Sequence, residues 1–255
     1  MLKEIKDNCS MTIAGLDPSG GAGLLADAKT FHSHGIYATC VVTCITAQNP
    51  FEVNSIEALD VSLIEDEIDT ILDVYPVRYI KTGMLYSRDI ISLVSRKISE
   101  YQLKAVVDPV MVAESGANLS DDDFVKYFNK HMVKKSFLIT PNIHEASLLS
   151  EVEICDEDTM IEAALKLSYD TNIVITGGHL NGNDILCCDG EIHKIEGKLV
   201  NTKNTHGTGC TYSASITSNL IKKHDILTSC KKSRQYMTNT IKHGYNYTPN
   251  QFYKK

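Results

Sequence analysis

The chain has no Cys-x-x-Cys pair, no Gly-x4-Gly-Lys-Ser/Thr loop, no Gly-x-Gly-x-x-Gly turn and no run of 18 uncharged apolar residues. The first absence argues against a zinc site. The next two exclude the P-loop and the dinucleotide-binding fingerprint. The last excludes a membrane-spanning helix, and Met1-Leu2-Lys3-Glu4-Ile5-Lys6-Asp7 has no apolar core of a signal peptide. Basic residues are also short: 25 Lys and Arg against 32 Asp and Glu give a net charge of -7. That balance does not suit a general nucleic-acid or anionic-membrane binder, so any phosphate site must be local. No repeat, low-complexity tract or linker interrupts the chain. The expectation is one cytoplasmic domain over residues 1–255, with its eight cysteines as reduced thiols.

What is present is an alternation of strand and helix signals. Residues 10–16 read as a buried strand and 17–23 (Asp-Pro-Ser-Gly-Gly-Ala-Gly) as a Gly-rich turn. A helix follows with Leu24, Leu25, Ala28, Phe31 and His32 on one face. Residues 36–45 form a β-branched run broken by Thr46-Ala47-Gln48-Asn49-Pro50, which puts Gln48 just past a strand end. Cys40 and Cys44 share a face of that strand as core residues. Ser62-x-x-Glu65 and Ser120-x-x-Asp123 read as helix-start signals. Strands over 77–81, 104–107, 137–140 and 172–176 are each followed by short polar motifs. Asp108, at a strand's carboxyl end, points to the crevice where open α/β sheets bind ligands. Asn142 and Glu145, three apart, share one helix face. Residues 184–188 and 192–195 flank Asp189-Gly190-Glu191 as a hairpin. The expected architecture is α/β, a mostly parallel doubly wound sheet flanked by helices, with an antiparallel hairpin at one edge.

The run Asn204-Thr205-His206-Gly207-Thr208-Gly209-Cys210-Thr211 feeds a small-residue helix over 212–217. Unpaired first-turn N–H groups and the positive helix end would receive an oxyanion there, and the glycines let it approach. The same positive end is expected to lower the Cys210 thiol toward neutrality, making it a proton acceptor. His206 and His179 read as structural hydrogen-bonding residues.

Taken in order, these motifs resemble the bacterial hydroxymethylpyrimidine/phosphomethylpyrimidine kinases of thiamine biosynthesis, which have the ribokinase-like fold. The motifs are Thr12–Gly15, Asp17–Gly23, Ala26–Phe31, Thr46–Asn49, Lys81–Leu85, Asp108–Met111, Thr140–Asn142, Gly177–His179 and Asn204–Thr211, and the resemblance runs from about residue 10 to 222. It implies phosphorylation by ATP, with Mg²⁺, of 4-amino-5-hydroxymethyl-2-methylpyrimidine and then of its monophosphate. It implies an anion hole at Gly207, Thr208 and Gly209 with Cys210 as base. By the same resemblance, Gly15, Ala22, Asp27, Gln48, Met84 and Val110 hold the pyrimidine. Asp108, Asn142 and Thr176 face the nucleotide, Asp108 and Glu145 organise the metal, and the chain forms a homodimer. Gln48 carries both a donor and an acceptor for an aminopyrimidine edge.

Three departures stand out. Thr176 replaces the family's usual lysine before Gly-Gly-His, Glu114 reverses a charge in Ala113-Glu114-Ser115-Gly116, and the tail reads Tyr247-Thr248-Pro249-Asn250-Gln251-Phe252. Two other readings stay open: a pyridoxal or pyridoxine kinase, alone or with dual specificity, and a weakly catalytic ligand-binding regulator.

Overall fold

The computed structural model describes residues 7–111, 122–178, 180 and 182–253. Its centre is a nine-stranded sheet in the order β3-β2-β1-β4-β5-β6-β7-β8-β9. The parallel strands are β1 (Cys9–Leu16), β2 (Tyr37–Asn49), β4 (Tyr79–Thr82), β5 (Lys104–Val107), β6 (Leu138–Ile139) and β7 (Asn172–Ile175). The expected hairpin is β8 (Asp184–Cys188) with β9 (Glu191–Ile195), and β8 also runs antiparallel to β7.

The other edge differs from the sequence reading. β2 does not break at Thr46 but continues to Asn49 and turns back into an antiparallel β3 (Glu52–Ala58). Gln48 therefore lies inside a strand, at an irregularity in the β2–β3 register. β3 escaped notice because Glu-Val-Asn-Ser-Ile-Glu-Ala lies at a solvated edge, and nothing there buries a clean apolar face.

Helices cover both faces. On one side α2 (Val61–Leu72), α3 (Arg88–Glu100), α4 (Asp122–His131), α5 (Ile143–Ser150) and α6 (Glu157–Leu167) belong with Met11, Ile13, Ile80, Val107 and Ile139. On the other, α7 (Thr208–Ile221) and α8 (Ile226–Lys242) pack Tyr212, Ile216, Leu220 and Met237 on Val106, Leu138 and Val174. α1 (Gly23–Ser33) joins that second layer beside α7. Successive strand residues alternate between the layers, as the pleat requires. Thr12, Lys81 and Val106 lie in one cross-strand row on the α1/α7 side, and Asp108, two residues beyond Val106, continues that side.

Several helix starts have a local cause. Ser87 and Asp225 cap α3 and α8, accepting from the Ile90 and Thr228 N–H groups. Asn142 and Glu145 form a reciprocal capping box on α5. α2 corrects the sequence reading: its cap is Asp60, whose carboxylate accepts the Ser62 N–H, so the chain enters the helix before Ser62. Ser120, His179 and the run 113–116 lie outside the described residues. Asp60→Ala is expected to lower the urea midpoint, whereas Ser62→Ala should leave it close to that of wild type. Urea unfolding of the two variants decides which residue starts α2.

Candidate active site

The chain bends away from β1 on one side to β2 and on the other to β4, so the strand order reverses at β1 and a crevice opens beyond the carboxyl ends. A cleft of about 590 Å³ occupies it. Gly15, Ala22, Gln48, Met84 and Val110 line one part, and Asp108, Asn142, Glu145 and Thr176 another. Gly207, Thr208, Gly209 and Cys210 bring the start of α7 into the same cleft. Six strand ends, one Gly-rich turn and one helix N-terminus thus meet there, as the order of motifs predicts.

Asp27 is placed differently. It is wholly buried behind the wall, where it accepts hydrogen bonds from Thr12 Oγ1 at 2.6 Å and Lys81 Nζ at 3.0 Å. Its helix, α1, lies flat on the sheet, and residue 27 faces inward rather than up into the cleft. Burial raises its carboxyl to about 6 against the pull of Lys81 and Thr12. The Lys81 ammonium, fully buried as well, reaches Asp108 Oδ2 at 3.6 Å. Burial alone would lower it, but Asp27 and Asp108 hold it charged, well above the usual lysine range. In the sequence Lys81 stands only as part of the Lys81–Leu85 motif, with no role of its own. A lone lysine inside the apolar strand Tyr79-Ile80-Lys81-Thr82 was the available signal.

Cys210 also departs from expectation. Burial pushes its thiol up to about 12, with Asp108 and Asp27 adding to the rise and Lys81 and the Gly23 N–H opposing it. A helix end carries only about half a charge, too little against desolvation and two carboxylates. Asp108 itself is raised by burial, offset by Lys81, Cys210 and Ser213. Glu145 is raised well above the ordinary value by burial and then by Asp108, although the Asn142 N–H donates to it at 2.9 Å. Two desolvated carboxyls on one wall of a cleft form a site that favours a cation.

The glycines have steric reasons. Gly207 caps α7 with φ at +86°, and a Cβ there would lie 1.9 Å from Gly21 O. A Cβ on Gly209 would lie 3.7 Å from Asp108 Oδ2, so the carboxylate stands over the first turn of α7. Thr176, where no cation stands, bridges to Asn142. Arg234 of α8 lines the cleft instead, with Nη1 3.7 Å from Asp184. The sequence reading did not find it, because nothing in α8 marks one arginine over its neighbours.

The sequence pattern of the family described as phosphomethylpyrimidine kinase matches residues 17–253. The chain belongs to that family. It is 38% identical over 224 residues to the hydroxymethylpyrimidine/phosphomethylpyrimidine kinase of Bacillus subtilis, covering 85% of this chain and 83% of the relative. It is 37% identical over 238 residues to a thiamine biosynthesis bifunctional protein of Geobacter sulfurreducens, covering 91% of this chain and 49%, about half, of that longer protein. The phosphomethylpyrimidine kinase of Clostridium difficile superposes with a TM-score of 0.80 at 32% identity, covering 92% and 98% of the two chains. An ADP complex of Bacillus subtilis pyridoxal kinase superposes with a TM-score of 0.87 at 35% identity, covering 95% and 96%. The fold of this phosphomethylpyrimidine kinase family member is thus the ribokinase-like one.

Lys81→Met leaves two buried carboxyls without their ammonium. It should cost about 3–5 kcal/mol in urea unfolding, and adding Asp27→Asn should recover part of it. Asp17 supplies a pH test. Burial would raise it, but His206, Ser19 and Ala22 donate hydrogen bonds that hold it at about 2, below its ordinary 3.8. Its folded value lies below the unfolded one, so its contribution is present above pH ~4 and lost as pH falls toward about 2. The stability gap between wild type and Asp17→Asn, followed by urea unfolding, should close across that window.

Proposed function

We propose that this chain, as a single kinase domain over residues 1–255, transfers phosphate from ATP to 4-amino-5-hydroxymethyl-2-methylpyrimidine and then to its monophosphate, in thiamine biosynthesis. The observation that carries the reading is the meeting of α7's uncapped N-terminus and Cys210 with the Gln48 pocket in one cleft. Gly15, Ala22, Met84 and Val110 form the walls for the ring. Gln48 reads its aminopyrimidine edge, with Thr46 Oγ1 donating to its Oε1 at 3.2 Å to fix the amide. Asp27 acts from behind the wall, through Lys81 and Thr12 rather than by touching the ring. The loop at Gly207, Thr208 and Gly209 receives the transferred phosphoryl, with the Gly207 and Gly209 N–H groups as donors while the Thr208 N–H is held by Thr205 O at 3.1 Å, and positioning and charge stabilisation carry most of the catalysis.

Asp108 and Glu145 suit Mg²⁺, which binds through one or two carboxylates together with phosphates and water. What Mg²⁺ supplies when bound is positive charge beside them, offsetting the carboxylate charge that helps hold the Cys210 thiol up. The Lys81 ammonium and the Gly23 N–H favour the thiolate, the form that takes the hydroxymethyl proton. Asn142 and Thr176 border the nucleotide phosphates, with Arg234 as a nearby cation. A cytoplasmic homodimer is part of this reading. Light scattering of the purified chain checks it. No helix among the described residues is long and apolar enough to cross a membrane.

The alternative reading is a pyridoxal or pyridoxine kinase, alone or with dual specificity, supported by the likeness to a solved pyridoxal kinase at 35% identity. ADP release with Mg-ATP should be seen with both pyrimidines and be weak with pyridoxal. Cys210→Ala should keep acceptor binding and lose about 10²-fold or more of turnover. Turnover of pyridoxal alone would move the chain to the vitamin B6 branch. Binding without ADP release would make it a regulator.

A further inference from the structure

Two glycine-rich segments meet edge to edge at the cleft: the turn after β1 (17–23) and the loop entering α7 (204–208). A single carboxylate joins them. Asp17 Oδ1 accepts the Ser19 N–H at 2.8 Å, and Oδ2 accepts the Ala22 N–H at 2.9 Å and the Ser19 hydroxyl at 3.0 Å. His206 Nε2 then donates to the same Oδ2 at 2.8 Å. Asp17 and His206 side chains are 3% and 5% exposed, so the pair is shielded from water although both border the cleft.

The surrounding backbone leaves this pair little slack. A Cβ on Gly21 would lie 2.4 Å from His206 Cδ2, and one on Gly207 would lie 1.9 Å from Gly21 O. The His206 N–H is itself fixed to Tyr247 O at 3.0 Å. What the pair holds together is chemically specific. The turn carries Ala22 and, at its end, the Gly23 N–H that points at Cys210 Sγ. The loop carries Gly207 and the uncapped first turn of α7.

We propose that Asp17 and His206 are a positioning pair for phosphoryl transfer, locking the wall that holds the acceptor against the helix end that holds the phosphoryl group and Cys210. The inference rests on the kinase reading above. If the pair is cut, both segments keep their folds, but their separation is free to vary. A displacement of about 1 Å between reacting groups costs on the order of 10²-fold in rate. Binding of the acceptor, made by one side alone, changes little.

The test compares His206→Phe, which keeps a ring but no N–H, with His206→Gln, whose amide can still donate to Asp17. His206→Phe is expected to lower kcat about 10- to 100-fold while KM for the acceptor alcohol stays within about threefold, and His206→Gln should restore most of kcat. Hydrogen exchange gives a readout that needs no turnover: amides in 19–23 and 207–211 should exchange faster in His206→Phe and not in His206→Gln. A kcat within about twofold of wild type in His206→Phe overturns the proposal. So do equal losses in the Phe and Gln variants, or unchanged exchange in both segments. Wild type assayed on hydroxymethylpyrimidine and on pyridoxal separates the two failures. Silence on both rejects the kinase reading, whereas active wild type with unimpaired His206→Phe rejects the pair alone.

Discussion

The buried Lys81 ammonium is the charge around which the cleft is built. It stands between Asp27 at 3.0 Å and Asp108 at 3.6 Å with no exposure of its own. A buried carboxylate without a partner costs several kcal/mol, and Asp108 must reach the cleft from a strand end that is apolar on both faces. Lys81 makes that possible from the neighbouring strand, in the same row as Thr12 and Val106. Asp27 on α1 completes the pairing from the helix layer. The arrangement ties the sheet, α1 and the start of α7 to a single charge.

A second constraint is steric. α1 and α7 both begin without a side-chain cap, at Ala22 and Gly207, and both helix starts lie at the cleft. Two positive helix ends form a region suited to anions. It can exist only because the backbones that enter them approach within van der Waals contact. Gly207 against Gly21, and Gly23 with φ of +56° against Gly15, leave no room for a Cβ. The cleft therefore combines a positive, backbone-lined floor with a carboxyl-lined wall at Asp108 and Glu145, the pairing of charges that a metal-phosphate ligand matches.

Much of this was legible in the chain. Strand runs followed by Gly-, Asp- or Asn-bearing turns located nearly every wall of the cleft, because parallel strands deliver their carboxyl ends to one edge. Three site residues were misread. Gln48 looked like a loop residue, because a polar edge strand has no alternation to reveal it. Asp27 looked like a pocket residue, because its partner Lys81 lies 54 positions away. Cys210 looked like an activated thiol, because the helix end is local in sequence while the burial and the two carboxylates that outweigh it are not.

The sequence by itself determined the order of elements, the Gly-rich turn before α7 and the family, since glycine spacing, caps and period-two runs act over a few residues. Only the tertiary structure decided the charge states, the Asp17–His206 contact across 189 positions and which side of the wall each carboxylate faces. Those depend on desolvation and on charges brought together from distant strands, and neither quantity exists until the layers close.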